Sequence, residues 1–156
     1  MNMSRKSSHT SRKPRSKPLT RDMLLPLPVA KVRAMSLEHH LALAAMHSGR
    51  GGIEQMHVLL KVTYLTYFMA DAAHEPVDLD MFRAAEAAFE CCGLRGHRDG
   101  NWTLPMVDHD VLARILALHD GQLGSMPSWR YGEAWARIHA FLRSDAQSPL
   151  PAPACA

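Results

Sequence analysis

Residues 53–69 have the sequence IEQMHVLLKVTYLTYFM, and this stretch decides the fold. Its only side chains with a full charge are Glu54 and Lys61, and apolar residues recur at helical spacing on two of its sides. A helix that is apolar nearly all round belongs in the middle of a bundle. At ~1.5 Å per residue it is about 26 Å long, too short to span a membrane, and Lys61 lies in mid-run. We therefore expect a central helix over about 53–73.

Capping and helix-breaking residues on either side of this stretch predict four more helices. Ser36 and Asp78 are N-cap candidates, Gly49 and Gly93 are left-handed stops, and Pro127 opens the last helix. No segment shows the alternation of a sustained β-strand. The predicted helices cover residues 37–48, 79–92, 105 or 108 to 123, and 127 to about 142. The expected fold class is all-α, a five-helix bundle around the central apolar helix.

The helical period also predicts which side of each helix is buried. The buried side of the first helix is expected to contain Leu37, Leu41, Ala44 and Ala45. The buried side of the fourth is expected to contain Val111, Ile115 and Leu118, with Leu112 and Leu116 beside them.

The charge of the chain is divided unevenly along its length. Residues 1–33 contain nine Lys or Arg and one acid, whereas residues 34–156 contain nine Lys or Arg and fourteen acids. The two parts therefore carry net charges of +8 and −5, in agreement with +3 for the whole chain. Such an asymmetry points to a polyanionic partner for the basic part.

Residues 1–22 are rich in Ser, Arg, Lys, Pro and Thr and have almost nothing to bury, so we expect a disordered basic arm. Two alternatives are open for this arm: a solubilising tail, or a segment that binds the phosphates of nucleic acid. The arm has no aromatic residue, so base stacking is not expected to contribute. The candidate nucleic-acid-binding residues are Arg5, Lys6, Arg12, Lys13, Arg15, Lys17 and Arg21.

Three other segments complete the predicted organisation. Residues 23–35 form an apolar strap or linker, which Pro26 and Pro28 keep out of helix and sheet interiors. We expect the strap to bury its large side chains in a groove of the helical body, residues 36–144. The tail, residues 145–156, is rich in Pro and Ala and is expected to be loose.

Ten histidines raise the question of a metal site. The densest group is His39, His40 and His47 with Glu38 beside them and His57 in the next helix. No HExxH motif and no zinc-like Cys/His spacing is present, so no metal site is predicted. The alternative is that His40 caps or bridges the first two helices while the other histidines are exposed.

No catalytic motif is present either. His119 and Asp120 could be two members of a triad, but no nucleophile has a supporting motif. Cys91 is expected to be a surface thiol and Cys92 a small core residue. We therefore expect a protein that is not an enzyme and has no cofactor. Three cysteines without paired spacing, and no signal peptide, predict a cytoplasmic protein without a membrane partner.

A resemblance rests on four segments that occur in a fixed order. They are LEHHLALAAMHSGR (37–50), the apolar helix from Ile53, RDGNWTL (98–104) and LALHDGQL (116–123). In this order the chain resembles small helical accessory proteins of bacterial mobile elements, often labelled Fis-type regulators, which also carry a basic, Pro-containing head. The resemblance covers about residues 36–142 and implies a helical body and a mobile-element setting. It implies less about sequence-specific DNA binding, because two tryptophans and Gly132 interrupt the last helix.

Two hypotheses for function follow from the sequence. The first is a non-enzymatic accessory protein of a mobile element, regulatory in type, that binds nucleic acid through the basic arm. The second is a protein-interaction module, an inhibitor or adaptor of a host complex, that acts through the helical body. A cluster of exposed apolar residues on the body would favour the second hypothesis.

Overall fold

A computed structural model describes residues 18–152 as a short 3-10 turn, Asp22–Leu24, followed by five helices. The helices are α1, Val29–His47; α2, Ile53–Ala72; α3, Leu79–Asp99; α4, Met106–Ser125; and α5, Ser128–Leu142. The described part of the chain contains no strand, and the predicted all-α, five-helix bundle is confirmed. None of its helices is long and apolar enough to cross a membrane. The predictions for residues 1–17 and 153–156 concern positions outside the described range.

Helix α2 is the central helix, as predicted, and packs against all four of the others. Its buried side chains run from Met56 to Ala70 and occupy every side of its second half. Two of them, Thr63 and Thr66, donate hydroxyl hydrogen bonds to the carbonyls of Leu59 and Val62 at 2.9 and 2.7 Å. These two hydroxyls are therefore satisfied within the helix itself.

Helix α1 begins at Val29, directly after Pro28, and not at Leu37. Ser36 therefore lies inside the helix, and the prediction that it caps the helix is wrong. Nothing between residues 29 and 36 breaks a helix, and the fixed φ of Pro28 suits the position before the first turn. The extended strap is thus limited to the residues before Val29.

The buried face of α1 also differs from the predicted one. Leu37 and Leu41 are 61% and 59% exposed. The helix is apolar on several sides, and it turns a different one towards α2 and α4. The side chains on this face are His39, Ala42, Leu43 and Met46.

Helix α3 continues through Gly93 and ends at Asp99, where Gly100 takes a left-handed conformation with φ of 70°. The predicted stop at Gly93 is therefore wrong, although Asp78 caps the helix as predicted by accepting from the Met81 N–H. Gly96 serves close packing instead. A Cβ at this position would clash with the ring of Trp102, which folds back onto the helix.

The buried face of α4 is rotated relative to the prediction, because Leu118 is exposed and two polar residues are buried. His119 and Gln122 lie on the same helical stripe as Leu112, Ile115 and Leu116. The buried residues are Leu112, Ile115, Leu116, His119, Gln122 and Leu123.

The strap is held by its backbone rather than by its side chains. The N–H of Ser128 at the start of α5 donates to the carbonyl of Leu25 at 2.7 Å, and its hydroxyl donates to that of Asp22 at 3.2 Å. The first N–H groups of a helix need acceptors from outside the helix. Leu24 and Leu25 nevertheless remain more than half exposed, so the prediction that the strap buries its large side chains is wrong for them.

The tail, unlike the strap, contacts the helical body more than the sequence predicts. The hydroxyl of Ser148 donates to a carboxylate oxygen of Glu86 at 2.6 Å, and Arg83 donates to the carbonyl of Pro151 at 3.2 Å. Leu150 packs against the core. The prediction of a loose tail is therefore wrong for residues 148–151, because α3 offers polar partners that the composition of the tail does not reveal.

Candidate functional site

A cavity of about 290 Å³ lies between α1, α2 and α5. Each of these helices contributes both polar and apolar side chains to its wall. The polar lining residues are Lys31, Glu38, His39, Lys61 and Tyr131. The apolar lining residues are Met35, Val58, Val62, Leu65 and Trp135.

His39 is the most buried polar residue of this lining, with 7% of its surface exposed. Its Nδ1 is enclosed and has no hydrogen-bond partner, and no partner is found for Nε2 within the described residues. On its inner side the ring packs against His119, with 5.5 Å between ring centroids and 51° between the ring planes. The inner end of the cavity is therefore lined by an imidazole ring that makes no hydrogen bond within the described residues.

His119 is fully buried in α4, and neither of its ring nitrogens has a hydrogen-bond partner. The side chain of Gln122 lies nearby and donates to the Thr66 carbonyl at 3.0 Å, but its own Oε1 has no partner of good geometry. Buried polar groups normally pair, and one left unpaired reduces stability by roughly 1–3 kcal/mol. This interface between α1, α2 and α4 is therefore polar and incompletely satisfied.

Both histidines are neutral at pH 7. Burial and, to a smaller extent, the neighbouring His39 lower the pKa of His119 to about 4, against the opposing effects of Asp120 and Gln122. Burial also lowers the pKa of His39, against the opposing effects of Glu38 and Asp120. A neutral imidazole has one N–H donor and one acceptor nitrogen, so His39 can donate or accept at the cavity.

His40 and Asp120 form the solvent-facing edge of the same interface. The Nε2 of His40 lies 2.8 Å from Oδ2 of Asp120, which joins α1 to α4. The predicted bridge from His40 to the second helix is therefore wrong, and so is the expectation that His39 is exposed. No hydrogen bond joins Asp120 to His119, so Asp120 does not orient that ring as a catalytic aspartate would.

The remaining candidate histidines lie elsewhere. His47 packs against His109, with ring centroids 4.7 Å apart, and its Nδ1 lies 3.1 Å from the carbonyl of Leu104. His57 is exposed on α2. Among residues 18–152, no group of three or more His, Cys, Asp or Glu side chains has an arrangement that could hold a metal ion. Cys91 is exposed and Cys92 is buried, as predicted.

Arg21 is the only predicted nucleic-acid-binding residue within the described range; Arg5, Lys6, Arg12, Lys13, Arg15 and Lys17 lie outside it. Arg21, Lys31 and Arg33 are exposed and form no ion pair with a described acid. Four arginines further along the chain do pair with aspartates. They are Arg83, Arg98, Arg114 and Arg137.

The arginines of α5 are engaged within the fold. Arg137 lies 2.7 Å from a carboxylate oxygen of Asp71 and 4.5 Å over the ring of Phe68. Arg130 lies 5.4 Å over the ring of Trp129. A recognition helix needs free side chains for base edges, so these contacts argue against α5 as one.

Exposed apolar side chains concentrate near the strap and the outer side of α1. A second, more apolar cavity of about 590 Å³ lies there, between the strap, the first turns of α1 and Gly124 of α4. The large apolar residues of this region that are exposed are Met23, Leu24, Leu25, Val29, Leu37 and Leu41.

The sequence carries a signal for the histidine interface that the spacing of apolar residues alone does not reveal. His39 begins an i, i+3, i+4, i+7 stripe with Ala42, Leu43 and Met46, and His119 continues the stripe of Leu112, Ile115 and Leu116. Counting histidine as a core position would have placed both rings inside.

No protein-family model, curated protein or solved structure in the comparisons matches the chain.

Proposed function

We propose that this chain is a non-enzymatic accessory protein of a mobile element that binds nucleic acid through its basic N-terminal part, residues 1–33. The uneven charge supports this proposal, because nine cations and one acid precede residue 34. Neutralising phosphates requires positive charge and not a particular fold.

The main support for the proposal is that the cations at the junction between the basic part and the helical body form no ion pair with described residues. Arg21, Lys31 and Arg33 form no ion pair with described residues, although acids are abundant elsewhere on the body. An unpaired exposed cation keeps its full attraction for phosphate, whereas a paired one must first leave its carboxylate. The cations of residues 1–33 would therefore act together on one polyanion.

This mode of binding would be weakly dependent on base sequence. Phosphate contacts supply affinity and position, and base-edge contacts supply specificity. Arg137 is held by Asp71 and Phe68, so this cation of the body is not free to bind phosphate. The order of motifs that resembles mobile-element accessory proteins is consistent with such a role.

The experiment is a titration of fluorescent duplex and single-stranded DNA at salt concentrations from about 50 to 200 mM. The full chain should show log affinity falling linearly against log salt, with a slope of about −0.7 to −0.9 for each phosphate neutralised. Deleting residues 1–22 should abolish binding at low salt. If the deleted chain binds as tightly as the full chain, the proposal is wrong.

A matched pair of triple variants tests the contribution of the described cations. Arg21→Gln, Lys31→Gln and Arg33→Gln together should reduce the salt slope by up to about 3. The control, Arg50→Gln, Arg98→Gln and Arg143→Gln, removes the same charge from other exposed positions and should leave the slope unchanged. Equal losses in the two variants would mean that only net charge matters.

The second candidate function is a protein-interaction module, an inhibitor or adaptor of a host complex. The exposed strap and the outer side of α1 favour it, because Leu24, Leu25, Leu37 and Leu41 are all more than half exposed. Co-purification from host lysate, with and without nuclease, separates the two functions. A partner that survives nuclease and is lost on Leu24→Ser with Leu25→Ser would support the second.

A further inference from the structure

We propose that the cavity between α1, α2 and α5 binds a small monocarboxylate with an apolar body. The site shares Lys31 with the basic part of the proposed nucleic-acid function, whereas its other residues lie outside that part. Its parts are an apolar wall, two lysines from different helices, and the unpartnered imidazole of His39 at its inner end.

The shape of the cavity sets the size of the ligand. Ligand sites are concave and mostly apolar, with a few polar groups that fix orientation, and this lining follows that pattern. Its volume of about 290 Å³ exceeds the ~150 Å³ of a cavity that holds benzene. A bicyclic aromatic ring with a short side chain therefore fits, with its ring against Val58, Val62 and Trp135.

The charges of the lining set the sign of the ligand. Lys31 enters from α1 and Lys61 from α2, and neither forms an ion pair with a described residue. Glu38 is the single acid of the lining, so the net charge around the cavity is positive by one. This balance is matched by one negative charge, whereas the two charges of a phosphate monoester would leave the site with a net negative charge.

The uncharged polar groups identify a carboxylate as the matching anion. His39 is more than nine-tenths buried and lines the cavity, and its Nε2 is the ring nitrogen that stays accessible and has no hydrogen-bond partner within the described residues, whereas Nδ1 is enclosed by the protein. Burial lowers the pKa of His39 and raises the pKa of Tyr131, so at pH 7 both side chains are neutral and both can donate. Two neutral donors and an ammonium group suit the two oxygens of a carboxylate.

His119 supports this arrangement from behind. Its buried ring packs on His39 and limits how far the imidazole can turn away from the cavity. It supplies no charge, since it is neutral at pH 7. His119 is thus a positioning residue, and His39 is the one that contacts the ligand.

The experiment is an NMR titration of the full chain with indole-3-acetate, and with indole-3-acetamide as its uncharged analogue. An ordinary ligand efficiency predicts a Kd of about 1 mM or tighter for the carboxylate. Backbone shifts should concentrate on residues that line the cavity, and the amide should bind at least tenfold more weakly. Equal affinities for the two probes would overturn the proposal, and so would shifts centred on the strap cavity.

Two substitutions test separately whether binding depends on the charge of Lys61 and on the volume of the cavity. Lys61→Met should weaken the carboxylate about tenfold and leave the amide unchanged, while Arg114→Gln, which removes a cation away from the cavity, should change neither. Val58→Phe should fill the cavity and weaken both probes. Unchanged carboxylate binding by either Lys61→Met or Val58→Phe would contradict the assignment. DNA binding by these variants should remain, which keeps the two proposals distinguishable.

Discussion

The two sides of α2 achieve similar burial with different chemistry. Towards α3 the core is aromatic, with Tyr67 and Phe82 in edge-to-face contact at 5.7 Å between ring centroids. Towards α1 and α4 the packed rings are those of His39 and His119. We call these the aromatic side and the histidine side. Burying hydrocarbon stabilises the fold at any pH, whereas burying an imidazole stabilises it only while the imidazole is neutral.

The largest expected effect is on the aromatic side. Phe82 is 1% exposed, and Phe82→Ala should lower the free energy of unfolding by about 3–5 kcal/mol, through lost transfer energy and the cavity left behind. Urea denaturation at pH 7.5 and at pH 5 should give similar losses. Leu94→Ala on the same helix is the control, because Leu94 is exposed and its truncation should change stability by less than about 0.5 kcal/mol.

The histidine side should instead show a pH dependence. The pKa of His119 is about 4 in the fold, against 6.5 for a histidine in an unfolded chain, so the unfolded chain binds a proton first as pH falls. The contribution of the neutral His119 ring to the free energy of unfolding is therefore fully present above about pH 6.5. It is lost as the pH falls from 6.5 to 4, by roughly 3 kcal/mol at 1.36 kcal/mol per pKa unit.

His119→Leu should remove most of this dependence. At pH 7.5 its stability should match or exceed that of the natural chain, because an unpaired polar ring is replaced by an apolar side chain. Urea denaturation at several pH values from 7.5 to about 4 measures the difference. His57→Leu removes an exposed histidine and should keep the pH dependence of the natural chain. If the free energy of unfolding depends on pH in the same way for His119→Leu and for the natural chain, His119 does not contribute to the pH dependence.

The smallest expected effect is at the edge of the histidine side. Asp120→Asn changes the hydrogen-bonded pair with His40, which is an ion pair only when His40 is protonated. The side chain of His40 is 45% exposed and that of Asp120 is 32% exposed. Exposed pairs contribute about 0–1 kcal/mol and are screened by salt. Thermal unfolding at low and high salt should therefore show a small loss that shrinks as salt is added. A loss comparable to that of Phe82→Ala would mean that the pair organises the buried rings.

The aromatic side was predictable from the spacing of apolar residues, and the histidine side was not predictable from that spacing alone. Apolar spacing predicts α2 as the central helix, and this is confirmed. Phe82 and Phe89 are seven residues apart, the spacing of one helix face, and both are buried on α3. The same reasoning assigned histidines to the surface, because the ring is polar. Whether an imidazole is buried depends on the helix that it meets, and His39 meets His119 eighty residues further along the chain.

The candidate cavity was beyond sequence reasoning for a related reason. Its lining comes from three helices, and their relative rotation is set by tertiary packing and not by the period of any one of them. The positions of the strap and the tail also depend on tertiary packing. Leu24 and Leu25 of the strap remain exposed although they are apolar, whereas the polar Ser148 donates to Glu86 on α3. The charge division, in contrast, is a property of the sequence itself, and it identified the basic part directly.

The contact between Gly96 and Trp102 makes position 96 a natural place for a conditional mutation. A single methyl group there would clash with the indole ring, whereas a Cβ at Gly124 or Gly132 meets nothing within 4 Å. The indole would have to move, and with it the loop that carries Leu104 into the core. Gly96→Ala should therefore give a chain that folds at low growth temperature and fails at higher temperature, a genetic switch for asking when a cell needs this protein.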